Sequence, residues 1–257
     1  MRRLSRAWRA ALVLAVLLGV WELYVDSGGA DKLILPPPHQ IASSLFTDRG
    51  LLWSNFLVTA EEIVLGILVA AVAGFVCAVA LHLSARTLRP AVYPLLVASQ
   101  TVPVPMIAPL LALWLGFGIL PKLVVIALVS FFSIVVTTLA GLAAVEPELI
   151  KLMRTFDASR LQIFRRVELP SALPGLFTGA KIAVVVAVIG AVFAEQSGAS
   201  SGLGYLFQQS IPQLLTPRAY ATVVILSLFA IALFGLLSLT ERLALPWAYQ
   251  PRGDLSR

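Results

Sequence analysis

Few side chains in this sequence could do covalent chemistry, and those few are poorly placed for it. Gly198-Ala199-Ser200-Ser201-Gly202 fits the G-x-S-x-G pattern of serine nucleophiles. Such a serine needs a base within hydrogen-bond reach. The two histidines lie in other segments: His39 follows a proline run, and His82 closes an apolar run on the opposite side of the bilayer. Cys77 is the only cysteine, so no intrachain disulfide forms, and with two separated histidines no metal cluster is expected. No G-x-x-x-x-G-K-[ST] phosphate loop occurs, so the chain is not itself an ATPase and no cofactor is expected. What remains is polarity at the edges of apolar runs: Glu61 and Glu62, Gln100-Thr101, Glu195-Gln196, and a basic stretch from Lys151 to Pro174.

The elements that position these groups are membrane helices. The chain has 257 residues, 59% hydrophobic and 12% charged, with a mean hydropathy of +0.93. Soluble domains carry about 25% charged residues. Six runs are long enough to cross about 30 Å of hydrocarbon: Ala10–Val25, Ile63–Leu81, Ala91–Leu115, Leu123–Ala144, Phe177–Ala194 and Ala219–Leu239. The expected fold is all-α, one polytopic membrane domain over residues 1–257. With the N-terminus inside, Arg2, Arg3, Arg6, Arg9, Arg86, Arg89, Lys151, Arg154, Arg160, Arg165, Arg166, Lys181, Arg242, Arg252 and Arg257 are cytoplasmic. Only Lys32, Arg49, Lys122 and Arg218 are external. That bias puts both termini in the cytoplasm. It also assigns the net charge of +6 to topology rather than to nucleic acid. The basic, apolar beginning resembles a secretory signal, but five runs follow it, and Trp21 and Tyr24 suit the interface, so it is read as an uncleaved span.

Pro36-Pro37-Pro38 ends the first element, and residues 39–48 resume as a short external amphipathic helix. Gly66, Ala70, Gly74 and Ala78 in the second run, and Gly175, Gly179, Ala183, Ala187 and Ala191 in the fifth, form small-residue ridges that admit a close neighbour. Glu61 and Glu62 are expected to face water at a helix start. The third run is interrupted at Gln100-Thr101-Val102-Pro103-Val104-Pro105, which reads either as a kinked structural helix or as an element lining a pathway. Glu195 reads either as a solvated boundary carboxylate or as a pathway or gate residue.

In the basic stretch, Pro147 opens a helix to about Phe156. Asp157-Ala158 follows, and Ser159-x-x-Gln162 is a capping box opening a second short helix. Leu161, Phe164 and Val167 share one side of it, away from Arg160, Arg165 and Arg166, and Pro170 and Pro174 are expected to stop it. Such a helix can lie on headgroups or insert into a groove on a partner protein.

This loop, ending in Val167-Glu168-Leu169-Pro170, resembles that of permease subunits of binding-protein-dependent ABC importers, whose pattern is Glu-Ala-Ala, three residues, Gly, nine residues, Ile-x-Leu-Pro. Here Lys151-Leu152-Met153 stands for the triplet, Asp157 for the Gly and Val167 for the Ile. Asp also tolerates left-handed turns. LPPPHQIASSL, QTVPVPMIAPLLALWLGFGILPK, AEQSGASSGLGYL and ERLALPW extend the resemblance to residues 34–247, toward permeases for alkanesulfonates, taurine, nitrate or thiamine precursors, with a lean to thiamine-precursor pyrimidines or riboflavin.

The resemblance implies a type I importer fold with six transmembrane helices in a bacterial inner membrane. It also implies a cytoplasmic ATPase dimer that uses the ATP, an extracytoplasmic solute-binding protein, a second permease copy and surrounding lipid. Asp157, Ser159, Arg160, Leu161, Phe164, Arg165 and Val167 would couple to the ATPase. Gln100, Thr101, Pro103, Pro105, Glu195 and Gln196 would line the pathway. Two other classes remain as rivals: an ion-coupled secondary carrier, which would need charges near the midplane, and a membrane-embedded hydrolase built on the serine motif.

Overall fold

The computed structural model describes residues 2–84 and 88–249. Of the basic residues assigned to the cytoplasm, Arg86, Arg252 and Arg257 lie outside the described residues, as do the side chains of Arg2, Arg3, Arg6 and Arg89. All regular structure among the described residues is helical: α1 Arg2–Asp26, α2 Pro38–Thr47, α3 Arg49–Leu83, α4 Leu88–Ser99, α5 Val104–Leu115, α6 Ile119–Ala143, α7 Pro147–Thr155, α8 Arg160–Ile163, α9 Leu169–Gln196, α10 Leu203–Ser210 and α11 Thr216–Ala244. A π-helical stretch, Phe164–Glu168, joins α8 to α9, and a 3₁₀ turn, Pro246–Tyr249, follows α11. Packing divides the chain into two units, Met1–Thr59 with Ser200–Ser227, and Ala60–Ala199 with Leu228–Arg257.

In the first unit, α1 ends beside α2 and the start of α11. His39 bonds to Glu22 through its ring and its backbone N–H, and the Trp21 and Tyr220 rings lie 6.2 Å apart. Asp48, which follows α2, takes Arg218 in a two-pronged ion pair at 3.0 and 2.8 Å and accepts the Ser44 hydroxyl. The Arg218 hydrogen bond holds the Asp48 carboxyl below its ordinary value of 3.8. A depressed carboxyl stabilises the fold fully above the unfolded value, and the contribution is lost as pH falls through the folded one. The thermal midpoint of the protein is therefore expected to drop more steeply below about pH 4 than that of Asp48→Asn, the two curves converging in stronger acid. Parallel curves would remove the pair from the stability of this unit.

In the second unit, α6 is gripped between α3 and α9. A Cβ on Gly74 would sit 2.9 Å from Ile134 Cγ2, and one on Gly66 would overlap the Ile126 side chain. On the other flank a Cβ on Gly179 would come 2.7 Å from Ile134 Cα and 2.9 Å from the Ser133 carbonyl oxygen. Both small-residue ridges thus face α6. Ala70 and Ala183 meet at Ile134, and Ala187 and Ala191 pack with Ile63 and Ile126. Lipid supplies little hydrophobic drive between helices, so this contact rests on backbone approach. The Ser133 hydroxyl adds a 3.3 Å bond to the Gly179 carbonyl.

These contacts set helix directions. Gly66 faces Ile126 and Gly74 faces Ile134, so α3 and α6 run parallel. Gly141 faces Ala172 and Gly190 faces Ile126, so α9 runs antiparallel to α6. Because α3 and α6 are parallel, the chain between them must recross the bilayer. That chain is α4 and α5, bent by 92° at the Gln100–Pro103 break. Leu96 of α4 packs near Leu139 and Leu142, toward the end of α6, and Ala108 of α5 packs with Val125 near its start. The third run is therefore one crossing made of two half-helices, each of 12 residues and too short to span alone.

Four further stretches are long and apolar enough to cross: Arg49–Leu83, Ile119–Ala143, Arg160–Gln196 and Thr216–Ala244. The first run, Ala10–Val25, is helical within α1, with Leu12, Leu14, Leu17, Val20 and Leu23 all exposed. One expectation is corrected: Pro170 and Pro174 do not stop the loop helix. Pro170 falls in the first turn of α9, after the π stretch has shifted the hydrogen-bond register, and Pro174 is absorbed within α9.

Candidate functional site

The polar groups gather at the His82 end of α3, around Glu62 inside it, and between α9 and α11. At the His82 end is the hairpin of α7 and α8. α7 closes on a left-handed residue, a conformation that Asp tolerates: Asp157 has φ +52. Its N–H bonds to the Arg154 carbonyl at 3.0 Å, and that of Ala158 to the Met153 carbonyl at 3.1 Å, the paired bonds of a Schellman close. Asp thus occupies the conformation for which the family pattern has Gly. The capping box is complete: Gln162 N–H donates to Ser159 Oγ at 3.3 Å, and Ser159 N–H donates to Gln162 Oε1 at 2.8 Å. Both features are local, and residue order revealed the second of them.

The faces of the hairpin differ from the expectation. α7 buries no residue, leaving Leu149, Leu152 and Phe156 exposed, and Leu161 of α8 is 61% exposed. Arg154, Arg160, Arg165 and Arg166 are exposed around them. Ile163 is the buried side chain of α8, and Phe164 is half-buried against a cluster that includes Leu81, Leu139, Leu142 and Ala172. Val167 is also half-buried. The apolar surface free for a partner is Leu149, Leu152, Phe156 and Leu161. Phe164 belongs to the subunit's own packing, so Phe164→Asp would disturb the fold as well as any docking.

Under this hairpin lies Glu168, whose side chain is 3% exposed. Arg160 Nη1 donates to its Oε1 at 2.6 Å. His82 Nε2, in the last turn of α3, lies 3.1 Å from its Oε2 without the alignment of a hydrogen bond. Well inside α3, which starts at Arg49, Glu62 is buried, against the expectation that it faces water at a helix start. Lys122 donates to it at 2.5 Å, and fully buried Glu195 is in hydrogen-bonding contact with it. Glu61, one residue away around the helix, is exposed as expected. In the third cluster Lys181 of α9 donates to Glu241 of α11 at 2.8 Å, and the Tyr249 hydroxyl donates to the same carboxylate at 2.5 Å. Lys181, counted with the cytoplasmic bases, therefore lies within a helix–helix contact. A lone lysine in an apolar run was the signal for this pair. For Glu168 the signal was a single acid among three arginines.

Among the proposed pathway residues, Gln100, Thr101, Pro103 and Pro105 are exposed together at the 92° break, between the two ends of α6. Gln100 and Thr101 N–H groups bond back to the Val97 and Ala98 carbonyls, so the broken backbone stays paired. Glu195 stands apart from them in the buried cluster, and Gln196 is half-buried beside it. The serine motif gathers no base. His39 bonds to Glu22, and His82 lies against Arg160 and Glu168. Within the glycine-serine segment, Gly202 and Leu203 N–H groups are held by Asn55 Oδ1 and Thr59 Oγ1 at 2.7 and 2.8 Å.

Crossing helices, a right-angled broken span and an exposed basic hairpin together describe a polytopic membrane subunit. The chain belongs to the family of binding-protein-dependent transport system inner membrane components, whose pattern matches residues 63–244. It is 35% identical to the formylaminopyrimidine transport permease protein ThiX of Halalkalibacterium halodurans, over 96% of this chain and 98% of that one. It is 34% identical to the riboflavin transport system permease protein RibX of Chloroflexus aurantiacus (92% and 88% covered), and 32% identical to the taurine transport system permease protein TauC of Escherichia coli (91% and 87%). Its fold matches a chain of the inward-facing MetNI methionine ABC transporter with a TM-score of 0.65 at 21% identity, covering 79% of this chain and 99% of that one. The chain is thus a permease subunit of an ABC importer, a transport component.

Proposed function

We propose that this subunit imports a small heterocycle of the thiamine-precursor or riboflavin kind, driven by a cytoplasmic ATPase dimer that docks on the α7–α8 hairpin. The observation that carries the docking is the hairpin's unpartnered apolar face, Leu149, Leu152, Phe156 and Leu161, ringed by arginines and continuous with α9. Its amphipathic knobs suit a groove on a partner. The excess of basic residues at this end of α3 supports a cytoplasmic hairpin with both termini inside. An extracytoplasmic binding protein delivers solute at the Lys122 end. A second copy of the chain completes the pathway, in which Gln100, Thr101, Pro103 and Pro105 face the solute, while Glu195 and Gln196 close its outer end. Around these subunits the exposed apolar side chains meet lipid. The cargo follows the order of the relatives, with the pyrimidine and flavin permeases ahead of the taurine permease.

Leu161→Asp is the docking test. With 61% of the side chain exposed, the substitution leaves internal packing intact. It is expected to lower ATP-dependent uptake by about tenfold or more, the scale of one lost apolar anchor at an interface, with the thermal midpoint unchanged. Unaltered uptake would move the docking surface elsewhere. For the cargo, proteoliposomes with the matching ATPase and binding protein are offered labelled formylaminopyrimidine, riboflavin and taurine. ATP-dependent accumulation of taurine alone would replace the heterocycle by a sulfonate, and accumulation driven by an ion gradient without ATP would overturn the importer mechanism.

A further inference from the structure

We propose that Glu168 is the positioning residue that clamps the coupling hairpin onto α3, so that movement of the hairpin displaces α3 together with α9. The inference rests on the docking reading above. The hairpin has two visible attachments to the helices around α6. One is covalent, through the π-helical stretch into α9. The other is formed by Phe164 and Glu168, the latter reaching both Arg160 at the start of α8 and His82 in the last turn of α3. Arg160 remains half-exposed and His82 is 16% exposed, so Glu168 is the buried centre of the three.

A carboxylate is retained in such a place only with its partners arranged around it. Here those partners belong to two elements that the main chain does not join directly. Arg160 occupies one carboxylate oxygen. The second is buried and lies 3.1 Å from His82 Nε2 as an ion-pair contact, with no hydrogen bond reaching it. α3 is suited to carry displacement, because Gly66 and Gly74 seat it against α6 without space for side chains. From His82 to Glu62 it runs about 30 Å as one helix. Displacement applied at His82 therefore reaches the Glu62–Lys122–Glu195 cluster. The clamp thus gives the hairpin a second lever beside α9.

The test uses the complete transporter in proteoliposomes and reads solute imported per ATP hydrolysed. Glu168→Gln, nearly isosteric, is expected to lower that ratio about tenfold while the ATPase still co-purifies and the thermal midpoint holds. His82→Ala is expected to give a similar fall, and the double variant no further one, because both break the same contact. Glu168→Asp, which keeps the charge, is expected to recover coupling to within about threefold of the unaltered chain. An unchanged ratio in assembled Glu168→Gln, or a lower midpoint with an unchanged ratio, would make Glu168 merely structural and overturn the proposal. Additive losses in the double variant would also overturn it. Should Glu168→Gln fail to assemble, His82→Ala decides by the same ratio. A failure of the docking reading is distinguishable, since Leu161→Asp would then leave ATP-dependent uptake unaltered whatever Glu168→Gln does.

Discussion

Gly179→Val is expected to abolish assembly of the subunit. A Cβ at this position meets Ile134 Cα at 2.7 Å and the Ser133 carbonyl oxygen at 2.9 Å. Both are main-chain atoms of α6, which no rotamer change can move. The helices would have to separate, losing the approach that brings Ala183, Ala187 and Ala191 to zero exposure and breaking the Ser133–Gly179 bond. Overpacking in a closed core costs about 1–3 kcal/mol. A clash with backbone inside so closely packed a helix pair belongs at or above the upper end. Gly235→Val is the control, since nothing lies within 4 Å of a Cβ there. The fraction of monodisperse protein extracted in mild detergent should collapse for the first and stay close to the unaltered chain for the second. Equal yields would mean that α6 and α9 are not packed as described.

Lys122→Met is expected to be the most damaging single change of charge. It leaves buried Glu62, which also touches buried Glu195, without its cation. Removing one partner of a buried pair costs about 3–5 kcal/mol, chiefly because the other charge remains desolvated. The double variant Lys122→Met with Glu62→Gln should recover a large part of that loss, since it removes the orphaned carboxylate as well. Thermal midpoints of the two variants are the measurement. If the double variant is as unstable as the single one, the loss comes from packing around the α6 start rather than from stranded charge. Loss of uptake in the recovered double variant would further assign the cluster to closure of the external end.

Several parts of the site were legible because their physics is short-ranged. The Ser159–Gln162 box depends on bonds within a few residues, so residue order alone identifies it, whereas Asp157 in place of Gly leaves the turn open, and only the structure places it at φ +52. The small-residue ridges were likewise readable, since spacing places their members on one side of a helix. What the ridges met was not readable, because a ridge states that a neighbour comes close without stating which one. Leu161 and Phe164 show the same division. Both are apolar positions on a basic helix, but one is free and the other belongs to the Leu81–Leu139–Ala172 cluster.

The amino-acid order by itself determined that this is an all-helical membrane protein, where its apolar runs lie, and where a basic hairpin interrupts them. Each of these follows from composition and periodicity over a few turns. Tertiary structure alone decided that the broken third run crosses the bilayer as two half-helices and that the loop helix flows through Pro170 into α9. It also decided which charges are buried. Glu62 with Lys122 and Lys181 with Glu241 are each 60 residues apart, and Glu168 meets His82 across an even longer separation. Such pairs exist only once helix faces have docked, and docking is governed by backbone approach at a few glycines rather than by any local pattern around the charges.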